Sequence, residues 1–180
     1  MPSFAIRPVA PDDGDTLWAL LEPVFRAGDT YAVDADITCD AALTYWTDPP
    51  HSAFLAEDIG AANESAETID PVTKALGTYY LMPNQKGGGR HVANAGVVPG
   101  PAARGRGVAR AMLHHAEAEA RRAGFRAMQF NFVVSTNAAA LHIWASEGYR
   151  EVGRLPGAFL HPTHGYVDAL VLFKSLIEAS

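Results

Sequence analysis

One stretch of the sequence, residues 97–110, most constrains what the chain can fold into. An apolar segment that includes Val97 and Val98 meets a Pro-Gly-Pro turn, and a helical pattern rich in Ala, Glu and Arg begins at Gly107. A strand that runs through a glycine-rich turn into a helix aims unpaired backbone N–H groups and the positive end of the helix dipole at one point. Gly105 and Gly107 carry no Cβ, so a ligand can approach this backbone closely. The pattern therefore predicts an anion site suited to a phosphate or pyrophosphate.

Two other kinds of phosphate loop do not fit this stretch. A Walker loop needs G-x-x-x-x-G-K followed by Ser or Thr, and the sequence contains no such string. A dinucleotide fingerprint needs G-x-G-x-x-G, but after Gly105 and Gly107 the last place holds Arg110. From these residues alone a plain turn remains an alternative, in which Arg104, Arg106 and Arg110 are solvated charges.

Composition narrows the kind of protein that surrounds this site. The 180 residues predict a single domain, residues 1–180, and 48% hydrophobic residues are ample for a packed core. The formal net charge is −6, which argues against nucleic-acid or anionic-membrane partners and requires any anion to be bound locally. Cys39 is the only cysteine, which excludes an internal disulfide or a thiolate zinc cluster. Because no run of about 18 apolar residues occurs, we expect a soluble, cytoplasmic protein.

Apolar periodicity predicts the element order β, α, β, β, β, α, β, α, β, β. The predicted strands are residues 4–9, 52–57, 75–82, 91–98, 126–134, 151–155 and 166–173, and the predicted helices are residues 15–21, 107–123 and 137–146. Short connections between the early strands indicate an antiparallel first half. Residues 28–50 indicate a long loop that leads into a short helix. The polar residues 63–70 indicate a connecting loop. The predicted fold class is α/β in the broad sense that includes α+β.

The chain contains two motifs that resemble those of the GCN5-related N-acetyltransferase (GNAT) superfamily. They occur in the same order as in that family, with a strand between them. Arg104, Gly107 and Ala109 form R-x-x-G-x-A after a hydrophobic strand, which is similar to motif A of that family. Asn137 opens a predicted helix that ends in Gly-Tyr at residues 148–149, which is similar to motif B. The resemblance implies a mixed central sheet of about seven strands, with an antiparallel N-terminal half, splayed strands 4 and 5, and flanking helices.

The resemblance also implies that the cofactor is acetyl-CoA. Backbone amides from residue 104 to 110 would cradle its pyrophosphate, and the strand edge at Val97 and Val98 would pair with the pantetheine amides. Asn137 would hydrogen-bond the pantetheine arm, and the thioester would enter the gap between the splayed strands. The implied cofactor-binding residues are Val97, Val98, Arg104, Gly105, Arg106, Gly107, Val108, Ala109, Arg110, Asn137 and Trp144.

Finer details resemble a branch of the family that acetylates small cyclic amino acids, such as the proline analogue azetidine-2-carboxylate. The matching features are residues 91–96, the asparagines Asn131 and Asn137, and the position of Trp144. In that branch, asparagines that match Asn94 and Asn131 line the reaction site. The resemblance therefore implies that Asn94 polarises the reacting groups and that Asn131 holds the acceptor. Without the resemblance, both are also compatible with strand asparagines that bond neighbouring backbone.

Acetyl transfer to an amine needs a deprotonated nucleophile, a donor for the oxyanion and a proton for the departing thiolate. The family often supplies that proton from a Tyr in the motif B helix, but this chain has Trp144 there, so the general acid stays open. Tyr79 and Tyr80 point to opposite faces of their predicted strand, which makes one of them a candidate for the acceptor pocket. Glu57 is a weaker candidate for a base that acts through water. No histidine spacing matches a metal motif, so no metal is predicted.

The resemblance implies an acetyl-CoA-dependent N-acetyltransferase that acts on a small-molecule amine by direct transfer. Two alternatives stay open at this point, namely acetylation of a protein or peptide amine and a non-catalytic CoA-binding regulatory module. A peptide acceptor needs an open groove, whereas the aromatic and acidic residues 31–46 could cover the site. The apolar closing strands are also compatible with a homodimer.

Overall fold

The computed structural model describes residues 4–60 and 71–177, which contain a single seven-stranded sheet. The strands are β1 (Phe4–Pro8), β2 (Ser52–Asp58), β3 (Ala75–Pro83), β4 (Val92–Pro99), β5 (Ala127–Val134), β6 (Arg150–His161) and β7 (Gly165–Ser175). Their order across the sheet is β1-β2-β3-β4-β5-β7-β6. Strands β1 to β4 are antiparallel, β4 and β5 are parallel, and β7 lies antiparallel between β5 and β6. The predicted mixed sheet with an antiparallel first half is confirmed.

Helices cover both faces of this sheet. The α-helices within the described residues are α1 (Gly14–Ala27), α2 (Cys39–Thr47), α3 (Pro71–Lys74), α4 (Val108–Arg122) and α5 (Ala138–Ser146). Neighbouring residues of a strand point to opposite faces, and on β3 Tyr79 packs in one buried cluster while Tyr80 packs in another. The Tyr79 cluster contains α4 and Trp144 of α5, and the Tyr80 cluster contains α1 and α2. The sheet is therefore enclosed between α1 and α2 on one face and α4 and α5 on the other.

The segment between α1 and β2 contains the short helix that the sequence predicts. Helix α2 begins after Thr38, whose hydroxyl accepts a hydrogen bond from the Ala41 N–H as an N-cap. The connecting loop predicted at residues 63–70 lies outside the described residues. Within the described residues, no helix is both long and apolar enough to cross a membrane.

Strand β6 departs most from the sequence prediction, because it runs on to His161 rather than ending at Leu155. Pro156 and Gly157 indicate a turn when the sequence is taken alone. A register shift between Leu155 and Phe159 accommodates them within the strand, and an edge strand tolerates both residue types. Strand β6 is the last strand of the sheet and is largely exposed, so no apolar alternation marks its length.

The pairing between β4 and β5 is short, and its early end opens a gap in the sheet. Within the described sheet, two residue pairs align the strands, Val92 with Ala127 and Ala93 with Met128. Beyond Ala93 the two strands separate, while β4 continues along β3 as far as Pro99. This β4–β5 gap is the splay that the family resemblance implies.

Two consecutive buried hydrogen bonds tie α2 to strands β2 and β3 of the sheet. The indole Nε1 of Trp46 donates to the hydroxyl of Thr78 over 2.9 Å, and that hydroxyl donates to the carbonyl of Phe54 over 2.8 Å. Trp46 and Thr78 are fully buried. An unpaired buried polar group costs about 1–3 kcal/mol, so the Thr78 hydroxyl stabilises the position of α2.

Thr78→Val keeps the side-chain shape but leaves Trp46 Nε1 and the Phe54 carbonyl without their shared partner. We expect the free energy of unfolding to fall by about 2 kcal/mol, which thermal denaturation would record as a Tm lower by roughly 4–8 °C. Thr47→Val is the control, because the Thr47 hydroxyl donates to the Leu43 carbonyl within its own helix. The control should change stability by no more than about 0.5 kcal/mol. Equal losses in the two variants would contradict the role given to Thr78.

Candidate active site

The glycine-rich loop leads directly from β4 into α4. A 3₁₀ turn at Pro101–Ala103 follows the strand, and Gly105 and Gly107 each have a φ of +72°, in the left-handed region that glycine adopts without strain. Gly107 is the N-cap of α4 and brings no capping side chain. The N–H groups of Val108 and Ala109, in the first turn, have no acceptor within the helix and face the space in front of it.

A cavity of about 700 Å³ opens in front of this helix end, and we call it the loop cavity. The predicted cofactor-binding residues that line it are Arg104, Gly105, Gly107, Val108, Ala109 and Arg110. A Cβ added at Gly105 or Gly107 would meet no atom within 4 Å, so the space over both residues is open. Backbone donors, a helix N-terminus and open space over two glycines fit a pyrophosphate.

Two predicted loop residues contribute less to the loop cavity than expected. Arg104 and Arg106 donate their backbone N–H groups within the loop, to the carbonyls of Pro101 and Ala103. The Arg106 guanidinium pairs with Asp58 of β2 at 2.7 Å, which directs this side chain away from the cavity. The donors that face the cavity are therefore mainly those of the first turn of α4, not every amide from residue 104 to 110.

Arg110 stands at the rim of the loop cavity in a small polar cluster. Its Nε lies 2.6 Å from Glu147 Oε1, and a terminal nitrogen of the same guanidinium donates to the Ser146 hydroxyl over 3.1 Å. The other Glu147 oxygen lies 2.6 Å from His114 Nε2. Hydrogen bonding from His114, with a further contribution from Arg110, lowers the pKa of the Glu147 carboxyl. The cluster holds the Arg110 guanidinium at the rim.

Strand β4 presents one backbone edge to the β4–β5 gap. The Val92 carbonyl accepts from the Asn84 N–H on the β3 side, so the alternating positions of the strand place the Val97 backbone on the gap side. The Val97 carbonyl accepts a hydrogen bond from the Tyr31 hydroxyl over 3.2 Å. Val98 turns its backbone toward β3, and its side chain is buried in the core. Of the two valines predicted to pair with a cofactor, Val97 faces the gap and Val98 does not.

A second cavity, of about 290 Å³, lies at the gap itself, and we call it the gap cavity. Asn94 of β4 and Asn131 of β5 line it, so the structure brings the two predicted reaction-site residues together. Three predicted cofactor-binding residues, Val97, Asn137 and Trp144, also line it. Much of the remaining wall is aromatic, from Tyr31, Tyr45, Tyr80, Phe130 and Phe132.

Helix α5 fixes the orientation of Asn137 and Trp144. Asn137 is the N-cap of the helix, and its Oδ1 accepts from the Ala140 N–H over 3.1 Å, which leaves the amide nitrogen to meet a ligand. The Trp144 indole stacks on Phe130 with ring centroids 5.0 Å apart and is 95% buried. An indole N–H is a hydrogen-bond donor but not an acid, so Trp144 serves as wall rather than as a proton source.

Two buried phenols, Tyr31 and Tyr80, line the gap cavity. The Tyr80 ring covers Gly96, where an added Cβ would collide with it, and Tyr80 lines the gap cavity together with Asn94. Burial raises the pKa of Tyr80 and of Tyr31 well above the usual value for a phenol. Both hydroxyls are therefore protonated at neutral pH.

Other sequence candidates lie away from the gap cavity. Tyr79 points to the opposite face from Tyr80, as predicted, and its hydroxyl lies 2.6 Å from His115 Nδ1. The Glu57 carboxylate lies 2.7 Å from the Arg7 guanidinium in an ion pair that links β1 and β2. Its contact is therefore a structural one, away from the gap cavity. Among the described residues, no group of three or more His, Cys, Asp or Glu side chains is arranged to hold a metal ion.

Sequence reasoning did not single out Tyr31 and Tyr45 as cavity residues. The signal in the sequence is the aromatic stretch 31–46, which predicts a cover for the site but not which rings reach it. Packing decides that, since Tyr31 meets Phe25 and Trp46 edge to face, with ring centroids 5.6 and 5.9 Å away. These contacts hold the Tyr31 hydroxyl against the edge of β4.

Comparison with known proteins identifies the class to which this fold and site belong. Residues 16–149 match the Acetyltransferase (GNAT) family, and the chain belongs to that family. The chain is 29% identical over 175 residues to the N-acetyltransferase aca1 of Schizosaccharomyces pombe, which covers 91% of this chain and 82% of that protein. The predicted class of enzyme, an N-acetyltransferase, is confirmed.

Solved structures agree with this assignment. A GCN5-related N-acetyltransferase from Kribbella flavida matches with a TM-score of 0.84 and 36% identity, over 96% of this chain and 98% of that chain. The structure of yncA from Salmonella typhimurium with its cofactor acetyl-CoA matches with a TM-score of 0.79 and 19% identity, over 98% and 96% of the two chains. The second likeness is one of fold. The predicted GNAT fold is confirmed.

The buried phenols predict how stability depends on alkaline pH. Burial raises the pKa of Tyr31, Tyr79, Tyr80 and Tyr149 above the ordinary value of 10.0. Because the folded chain then keeps protons that the unfolded chain loses, the free energy of unfolding should fall as pH rises above about 10. Tyrosinate absorbance, recorded with circular dichroism, should show these phenols ionising together with unfolding. Tyr80→Phe should reduce this loss of stability, and ionisation of all 6 tyrosines in a folded chain would contradict the prediction.

Proposed function

We propose that this protein transfers an acetyl group from acetyl-CoA to the amine of a small molecule, with both substrates bound at once. The observation that carries the proposal is that Asn94 and Asn131 line the same cavity. Strand β4 and helix α5 contribute residues to this gap cavity and to the loop cavity, so the two cavities are neighbours. When bound, acetyl-CoA supplies a thioester that is activated for attack by an amine nitrogen. The acetyl group moves to that nitrogen, the amine loses one proton, and CoA leaves as the thiol.

Backbone groups carry most of the cofactor binding in this proposal. The N–H groups in the first turn of α4 bind the pyrophosphate, Arg104 adds positive charge, and Arg110 offers N–H donors at the rim while Glu147 matches its charge. The backbone edge at Val97 pairs with the pantetheine arm, and the amide nitrogen of Asn137 donates to it. Because the donors are fixed in the backbone, a chain with a net charge of −6 can still hold phosphates.

Asn94 and Asn131 carry the acceptor side. Asn94 polarises the reacting groups through its amide N–H₂, and Asn131 holds the acceptor. Both side chains are neutral, so they orient a substrate by hydrogen bonds rather than by ion pairs. A gap cavity of about 290 Å³ suits a small molecule, and we propose an amino acid or a cyclic analogue such as azetidine-2-carboxylate as the acceptor class.

We assign proton donation to a phenol rather than to α5. The Tyr31 hydroxyl lies on the gap edge at the Val97 carbonyl, and the Tyr80 hydroxyl lies beside Asn94. Each phenol holds a proton at neutral pH, as an unperturbed phenol also does, and burial disfavours a free phenolate. Either hydroxyl can hydrogen-bond the departing sulfur and pass its proton to it while the proton lost by the attacking amine takes its place, which the Trp144 indole cannot do.

The segment between α1 and α2 favours a small acceptor over a peptide. Thr30, Tyr31 and Ala32 line one side of the gap cavity, and Tyr45 of α2 lines it as well. A peptide needs an open groove at the reacting nitrogen, and this segment occupies that side of the cavity.

Homodimer formation stays a prediction. Its candidate surface is β6, the edge strand of the sheet, which exposes Val152, Leu155 and Leu160. A dimer would cover this apolar edge. Sedimentation velocity measures it, and a monomer at every accessible concentration would contradict it.

Gly107→Ala tests the loop, with Gly28→Ala as its matched control. Both glycines have a positive φ, +72° and +61°, so alanine costs similar backbone strain at each site, but only Gly107 lies at the loop cavity. We expect Gly107→Ala to weaken acetyl-CoA binding by about tenfold or more in isothermal titration, because the first-turn N–H groups shift. Gly28→Ala should leave the Kd unchanged. Equal Kd values in the two variants would remove the loop from cofactor binding, and no binding by the unaltered chain at millimolar acetyl-CoA would overturn the proposal.

An amine panel tests the acceptor, using proline, azetidine-2-carboxylate, simple primary amines and short peptides. We expect turnover with a small amine and none with the peptides. On the best acceptor, Asn94→Ala should lower kcat by about a hundredfold, since a positioned donor contributes on that order, while the Kd for acetyl-CoA changes by less than about twofold.

Other results of the amine panel and of Asn94→Ala would contradict parts of the proposal. Acetylated peptides would favour a protein or peptide acetyltransferase. Acetyl-CoA binding without turnover of any amine would favour a non-catalytic CoA-binding module. An unchanged kcat in Asn94→Ala would remove Asn94 from the mechanism.

A further inference from the structure

Three side-chain amides, one of which lines the gap cavity, are hydrogen-bonded in a row across the sheet. Gln129 Nε2 donates to Asn131 Oδ1 over 2.8 Å, and Asn131 Nδ2 donates to Asn84 Oδ1 over 2.6 Å. Gln129 and Asn131 are two residues apart on β5 and so share one face of the sheet. Asn84 lies just after β3, 47 residues away in sequence from Asn131. The chain of amides therefore links two strands that are not neighbours in the sheet.

Asn84, at one end of this row of amides, is held in place by its own backbone. The backbone N–H of Asn84 donates to the Val92 carbonyl over 2.8 Å, at the start of β4, where the strands are still paired. Asn131, by contrast, lies beyond the aligned pairs of β4 and β5 and is exposed to solvent. An exposed asparagine side chain rotates readily in water, so its amide has no fixed orientation by itself. The two neighbouring amides give Asn131 one orientation.

We propose that Asn84 is a positioning residue, which sets the orientation of the Asn131 amide toward the acceptor. The inference rests on the role that the proposed function gives to Asn131. An asparagine amide has two N–H donors and two acceptor lone pairs, and the neighbours use one of each. One donor and one lone pair remain, in a fixed direction, for the acceptor. A pre-oriented amide binds more tightly because its ordering does not have to be supplied by the substrate.

The direction of the hydrogen bonds makes the proposal specific. Asn84 must accept, so Asn84→Asp keeps the interaction and Asn84→Ala removes it. Gln129 must donate, so Gln129→Glu places a carboxylate oxygen against Asn131 Oδ1. The Asn131 amide then rotates by about half a turn to point its NH₂ group at that carboxylate. A side chain that only filled space would not distinguish Asn84→Asp from Asn84→Ala in this way.

Kinetics with the best acceptor provides the functional test. We expect Asn84→Ala to raise the KM for the acceptor by about three- to tenfold, the range of one net hydrogen bond, with kcat within about twofold. Asn84→Asp should restore the KM, and Gln129→Glu should raise it at least as much as Asn84→Ala. The Kd for acetyl-CoA and the Tm should stay unchanged, because these amides are exposed and outside the core. Gln85→Ala, an exposed neighbour, is the control and should have no effect.

A double-mutant cycle and a spectroscopic measurement complete the test. In an Asn131→Ala background, Asn84→Ala should have no further effect on KM, since the two act through one amide. In ¹H–¹⁵N spectra without acceptor, Asn84→Ala should shift the side-chain amide signals of Asn131 and Gln129, and Asn84→Asp should shift them less.

The outcomes separate the two proposals. If Asn131→Ala raises KM but Asn84→Ala does not, the positioning role is overturned and the function stands. Additive effects in the double variant would also overturn it. If Asn131→Ala itself changes neither KM nor kcat, the role of Asn131 fails and the positioning role fails with it.

Discussion

The early end of the ladder between β4 and β5 is the constraint on which the rest of this site depends. Beyond Ala93 the strands separate, and the edge of β4 is left with backbone groups that no strand pairs. Unpaired backbone groups are costly unless another partner meets them, and at Val97 the Tyr31 hydroxyl is that partner. The same interruption lets Asn94 and Asn131 face one cavity from two strands. The strand edge proposed to pair with the pantetheine arm and the pocket proposed for the acceptor thus arise from one feature.

The chemistry of the loop cavity supports the proposal that this acidic chain binds the cofactor's phosphates there. Some nearby arginines are already matched, Arg106 by Asp58 and Arg110 by Glu147, so side-chain charge alone supplies little attraction. The left-handed Gly107 ends the loop without a capping side chain and leaves the first N–H groups of α4 turned outward. Their donors and the helix dipole do not depend on net charge. In the proposed cofactor site, local geometry therefore outweighs the net charge of −6.

The parts of the fold that could be predicted from sequence are those specified by local chemistry. Gly105 and Gly107 had to be glycines for a loop with two positive φ angles, and this requirement is visible in the sequence. The length of β6 could not be predicted, because its Pro and Gly indicate a turn until the register with β7 is known. Val98 was predicted to face a cofactor, but the alternation of β4 turns its backbone to β3. A shift of one residue in register reverses such assignments, and register is set by long-range pairing.

The sequence by itself determined the order of the seven strands, the position of the glycine-rich loop and the family, because each depends on residues close together in the chain. Only the tertiary structure decided which side chains meet at the gap. Tyr31 reaches Val97 across 66 residues, and Asn84 reaches Asn131 across 47. Neither contact leaves a pattern in the sequence. Both follow from packing, since the buried faces of α1, α2 and the sheet fix where the intervening segments must lie.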